Sequence, residues 1–105
     1  MKAVIAEHSF SIEGKSGSRQ RVRLKMYRPV QLADHARSEA VLEAENGKVI
    51  QTFRSMGEDT FQALTLLLSL IGRITPIELD ELGKVSEPDR IALARLVLIN
   101  PSEPV

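Results

Sequence analysis

The stretch from Asp59 to Gly72, D-T-F-Q-A-L-T-L-L-L-S-L-I-G, constrains the fold more than any other part of the chain. Asp59 followed three residues later by Gln62 forms a capping-box variant at a helix start. Gln62, Thr65 and Ser69 recur every three or four residues, so the polar positions form one narrow stripe and the rest of the circumference is apolar. One sheet face covers one side of such a helix, so the remainder needs a second partner surface, from this chain or from another. Gly72 is read as its stop signal.

The covering sheet is legible upstream. From Val4 to Ile12 the even positions are Val4, Ala6, His8, Phe10 and Ile12, and the odd ones include Glu7, Ser9 and Ser11, the alternation of a half-buried strand. After the turn at Gly14 to Ser18, Val22, Leu24 and Met26 alternate with Arg19, Arg21, Arg23, Lys25 and Tyr27. Pairing Phe10 with Val22 and Ala6 with Met26 joins the apolar sets and also sets Glu13 opposite Arg19 and Glu7 opposite Lys25. Arg28-Pro29 ends the second strand, because proline lacks an amide donor, and residues 30–36 are expected to be a loop.

Residues 37–45, R-S-E-A-V-L-E-A-E, have high helix propensity with Asp34 as a potential cap, so a helix is the competing reading. A strand is preferred because Asn46-Gly47 follows, a strong two-residue hairpin signal, and then the alternating run K-V-I-Q-T-F-R. Closing that turn sets Glu45 opposite Lys48, Ala44 opposite Val49, Ala40 opposite Phe53 and Glu39 opposite Arg54. Downstream, Thr75 with Pro76 and Glu78 suggests a short helix ending at Leu82-Gly83, and Ser86 with Pro88 and Asp89 opens a last helix to about Ile99. Residues 97–99 are alternatively a fifth strand. The expected fold is α+β: a four-stranded antiparallel meander of two hairpins over residues 1–56, a core helix over 59–72, two helical pieces over 75–99 and a frayed tail over 100–105, in one domain.

The opening V-I-A-E-H-S-F, the Arg28-Pro29 step and the D-T-F-Q-A-L helix start resemble a family of small bacterial proteins of unknown function. In that family a β-meander precedes a helix marked by D-[ST]-[FL]-Q-A-L. The resemblance covers roughly Val4 to Ile74, implies the fold, and transfers no catalytic residue.

Composition narrows the functional classes. The 14 basic and 14 acidic residues cancel, so the chain as a whole generates no long-range field toward nucleic acid or an anionic membrane. No cysteine is present, which removes thiol catalysis, thiolate metal sites and disulfides and fits a reducing cytoplasm. No signal peptide is expected at the start, and a helix ending at Gly72 is too short for a bilayer, which needs about 20 apolar residues.

Three candidate sites remain. Arg19, Arg21, Arg23 and Lys25 beside Tyr27 make a basic strand face of the kind that grips a polyanion, although scarce aromatics and the facing Glu7 and Glu13 suit a solvated outer face better. His8, Phe10 and Phe53 are candidates to line a ligand pocket between sheet and helix, while His8 alone reads as a hydrogen-bonded residue at the sheet rim. Glu39, Glu43 and Glu45 share a strand face and are expected to pair with Lys48 and Arg54 rather than with a cation. Gly14-Lys15-Ser16 lacks the helix that a phosphate loop requires, and the serines lack a nucleophile elbow. No metal, cofactor or catalytic constellation is indicated. The surplus of apolar helix surface instead favours a non-enzymatic interaction module, expected as a homodimer, joined through helix surface or by edge-strand pairing.

Overall fold

The computed structural model describes residues 2–97. Its elements run β1 (Val4–Glu13), β2 (Arg19–Tyr27), β3 (Val30–Gln31), β4 (Ala36–Ala44), β5 (Val49–Gly57), α1 (Thr60–Leu82), β6 (Lys84–Val85) and α2 (Glu87–Val97). The fold is α+β, an antiparallel sheet covered on one side by two helices. The four long strands lie in the order β5, β4, β2, β1, which is the expected meander. Two short strands extend it to six. Arg37 pairs with Val30 on one side and Met56 on the other, so β3 continues the line of β2 past Pro29, within the segment expected to be loop. Lys84 and Val85 pair with Glu13 and Ile12 at the free side of β1.

The first hairpin has the expected register: Phe10 opposes Val22, Ala6 opposes Met26, Glu7 opposes Lys25 and Glu13 opposes Arg19. Residues 36–44 form a strand, and Glu39 opposes Arg54 and Ala40 opposes Phe53 as expected. Near the turn the expectation fails. Val49 opposes Glu43 rather than Ala44, with a register shift after Leu42. The Ala44 N–H donates to Lys48 O and the Gly47 N–H to Ala44 O, closing a three-residue loop in which Gly47 has φ of +88°. A two-residue type I′ turn would need Asn46 at positive φ as well, and no residue other than glycine adopts it among the described residues. The first hairpin is built the same way, with Gly14 bonded to Ser18 and Gly17 at φ of +81°.

Asp59 caps α1 as the spacing implies: its Oδ1 accepts the Gln62 N–H at 2.8 Å, and Gln62 Oε1 accepts the Glu58 N–H at 2.6 Å. The stop at Gly72 does not occur. The helix continues through Thr75-Pro76 to Leu82, so the separate short helix expected there is the last part of α1. Gly72 serves packing instead. A Cβ built there would lie 2.8 Å from the Leu93 carbonyl oxygen and 2.9 Å from Leu96 Cβ, so the glycine admits α2 against α1. Its carbonyl has no donor at Pro76, which lacks an N–H, and the helix tolerates that loss inside a packed layer. At 23 residues α1 is long enough to cross a bilayer, which corrects the length argument made from the shorter helix. Here its Leu67, Ile71, Thr75 and Leu79 side is buried against the sheet.

The core contains Phe10, Ile12, Val22, Leu24, Leu42 and Phe53 from the sheet with Leu67, Ile71, Leu79 and Leu93 from the helices. α2 starts at Ser86, whose carbonyl accepts the Arg90 N–H, and runs back along α1 until Val97 meets Gly72. The further extension expected to Ile99, the alternative strand at 97–99 beyond Val97, and the tail lie outside the described residues.

Candidate interaction surfaces

Direct cross-strand pairs place every long-strand residue on one of two faces. His8, Phe10, Ile12, Leu24, Leu42 and Phe53 face the helices; Glu7, Arg21, Arg23, Lys25, Glu39, Glu43 and Arg54 face away from them. The expected pocket residues are not brought together. Phe10 and Phe53 are both buried core residues, but their strands are separated by two others, a span of about 14 Å across the sheet. His8 is on the helix face but not enclosed. Its side chain is 53% exposed at the sheet rim, with Nε2 2.9 Å from Asp89 Oδ1 and its ring edge-on to Phe10 at 4.7 Å. His35 lies in the loop after β3 with Nδ1 2.6 Å from Asp34 Oδ1, and the hydrogen bond and charge of His35 lower the Asp34 pKa.

The open face is a charged lattice. Arg23 lies 3.4 Å from Glu7, and Lys25 lies 3.0 Å from Glu43, so two of the four cations in the expected basic row are already paired. Glu39 takes Arg54 as expected, but Glu7 takes Arg23 instead of its direct neighbour Lys25, Glu43 takes Lys25, and no ion pair of Lys48 with Glu45 is found among the described residues. Side chains on a twisted sheet reach diagonal neighbours as readily as opposed ones. No ion pair of Arg19 or Arg21 is found among the described residues.

The most heavily coordinated group on this face is Glu39, only 8% exposed. Its carboxylate accepts from Arg54 Nε and Nη2 at 3.2 and 3.1 Å, lies 3.1 Å from Lys2 Nζ, and has Arg37 Nε at 3.5 Å. Burial alone would raise the Glu39 pKa, but hydrogen bonds and charge from Lys2 and Arg54 outweigh it and hold the carboxyl below its ordinary value of 4.5. Lys2 also sits 5.4 Å over the Tyr27 ring. The strand pairing foretold only Arg54. Lys2 precedes the first strand and Arg37 is a strand neighbour of Glu39 on the same face, a spacing of two that was available as a signal.

The neutral total conceals a division by layer. Residues 1–57 hold ten Lys and Arg against six Asp and Glu, an excess of four positive charges, while 58–97 hold four against seven, an excess of three negative. The sheet layer is therefore basic and the helix layer acidic.

A second surface lies beside β5. This strand pairs only with β4, so one edge of its nine residues is open. Above that edge runs the flank of α1 that faces away from α2, carrying Ala63, Leu66, Leu70, Ile74 and Ile77 at alternating three- and four-residue steps. Ile77 on this flank is 62% exposed; Met56, opposite Arg37 on the far face of the sheet, is 57% exposed, and Phe61, on the Gly72 side of α1, is 75% exposed. Leu66 and Leu70 are half-buried. Between α1 and α2 a cavity of about 370 Å³ is lined by Gly72, Pro76, Val85, Leu93, Ala94 and Val97, with the Arg90–Asp80 ion pair at 3.2 Å across its mouth. No cluster of three or more metal-ligating side chains occurs among the described residues.

Comparisons with protein-family models, with curated proteins and with solved structures returned no match to this chain.

Proposed function

We propose that this protein is a non-enzymatic interaction module that self-associates through apolar helix surface, in the first instance as a homodimer. One observation carries this reading: on the flank of α1 beside the unpaired edge of β5, Ile77 is 62% exposed and Leu66 and Leu70 are only half-buried. Each such group gains roughly 1.5–3 kcal/mol when fully covered, which a self-complementary contact supplies twice over. The titratable groups support the same view, since the shifted carboxyls of Glu39 and Asp34 sit in ion pairs rather than in a cleft. Light scattering on a sizing column tests the reading. A mass near twice 11.7 kDa at micromolar concentration is expected, and a monomer there overturns it.

The layered charge favours a second reading, contact with a polyanion through Arg19 and Arg21 on the open sheet face, with Arg23 and Lys25 contributing once their carboxylate partners are displaced. The resemblance to small bacterial proteins with a D-T-F-Q-A-L helix start stands as part of the proposal and adds no chemistry to it.

A further inference from the structure

Resting on the self-association reading, we infer that two copies join edge to edge at β5, antiparallel about a two-fold axis at Phe53, so that one sheet runs through both copies and the outer flanks of α1 pack together above it.

The edge itself argues for this. β5 carries no lysine or proline, the residues that ordinarily blunt an exposed edge, and its one irregularity lies at Val49 and Ile50, leaving Gln51–Gly57 regular. The opposite side of the sheet offers a shorter edge: β6 covers Ile12 and Glu13, and a register break lies between Val4 and Ala6, so residues 6–11 of β1 are what stays open there. An antiparallel edge is self-complementary under a two-fold axis. Centring the axis on Phe53, the middle of the strand, overlaps all nine residues and sets Arg54, the strand's one charge, opposite Thr52 of the second copy rather than opposite itself.

The helices then fall into place by two measurements. Ser55 Oγ donates to the Ala63 carbonyl and Gln51 Nε2 reaches Glu78 Oε1 at 3.4 Å, so α1 runs antiparallel to β5; with rises of about 3.4 Å per strand residue and about 1.5 Å per helical one, Phe53 is level with the stretch of α1 between Leu67 and Ile74. A two-fold axis at Phe53 therefore brings the apolar stretch of Leu66, Leu70 and Ile74 against the same stretch of the second copy, with Arg73 beside it and Glu81 at its end. The spacing also agrees. α1 packs over β4 and β5, so with strands about 4.8 Å apart its axis stands about one strand spacing from the dyad, and two such helices lie about 9.6 Å apart, within the 8–10 Å of packed helices.

The absence of cysteine makes a clean test possible. Thr52→Cys and Arg54→Cys are made separately, both at exposed positions. In the inferred register residue 52 opposes residue 54 of the other copy, about 5 Å between Cα atoms and within disulfide reach, while 52 to 52 and 54 to 54 are diagonal at about 7–8 Å and beyond it. After mixing, subunit exchange and mild oxidation, the mixture should give several-fold more covalent dimer than either variant alone. Ile77→Glu, with circular dichroism confirming the fold, should shift the sizing profile from dimer to monomer. A dimer by light scattering whose mixture cross-links no better than the single variants overturns the β5 register and leaves self-association standing. A monomer by light scattering overturns both.

Discussion

Glu39 is the residue on which the open sheet face turns, since three cations converge on one carboxylate that is almost removed from water. Its pKa is depressed in the folded chain, so it contributes stability that is present above its ordinary value of 4.5 and is lost as pH falls through the folded value. Glu39→Gln should therefore lower stability at pH 7 by about 1–3 kcal/mol and flatten the fall in urea midpoint between pH 5 and 3. An acid limb as steep as the parent's would show that other carboxylates carry it. Gly72 makes the complementary point about packing. Adding a methyl there gains about 1 kcal/mol of helix propensity but drives it into the Leu93 carbonyl, so Gly72→Ala should lose about 1–2 kcal/mol net in urea denaturation. A gain would mean that α2 is free to withdraw. The role of Gly72 was not legible in the sequence: a glycine after a run of leucines looks like a helix end until the second helix that needs the space is in view. Glu39 was half legible, because strand register foretells Arg54 whereas Lys2 comes from outside any strand.

At the scale of elements, alternation proved a stronger guide than propensity. Residues 36–44 have helix-favouring composition yet form a strand, because Ala36, Ser38, Ala40 and Leu42 supply one buried face between two neighbouring strands. The turn that joins β4 to β5 shows the limit of such reasoning. Asn46-Gly47 signalled a hairpin correctly but not its loop length, since Asn46 keeps negative φ and its Oδ1 accepts the Lys48 N–H at 2.9 Å instead. Only Gly47 carries the left-handed conformation, with open space around it. Gly47→Ala should cost about 1–2 kcal/mol through backbone strain alone, read as a fall in urea midpoint with unchanged slope. Stability equal to the parent's would argue for a different turn. The fused α1 follows the same lesson: Thr75-Pro76 looks like a fresh helix start, but Thr75 is buried in the core, and the sheet beneath holds the helix together across the missing hydrogen bond.

For the whole molecule, the apolar surplus read from the sequence is real but smaller than the bare helix implied, because α2 takes the Gly72 side and the sheet takes the Leu67 side. What remains is the flank beside β5 and the exposed Phe61, and only tertiary placement could show which flank is left. Charge was legible as a total and illegible as a map. If polyanion contact is the wrong reading, a fluorescent oligonucleotide should show no salt-sensitive binding at low micromolar protein; a steep decline of affinity with salt would favour the sheet face as a binding surface. The separation of that charge into a basic layer and an acidic one has an effect of its own, whatever the chain binds. Such a division gives the molecule a north and a south pole, so in dilute buffer it should turn in an applied field, and light scattering should register attraction between neighbours stacked sheet to helix. Added electrolyte shortens the reach of that attraction to about 10 Å at 0.1 M, so salt should disperse such stacks.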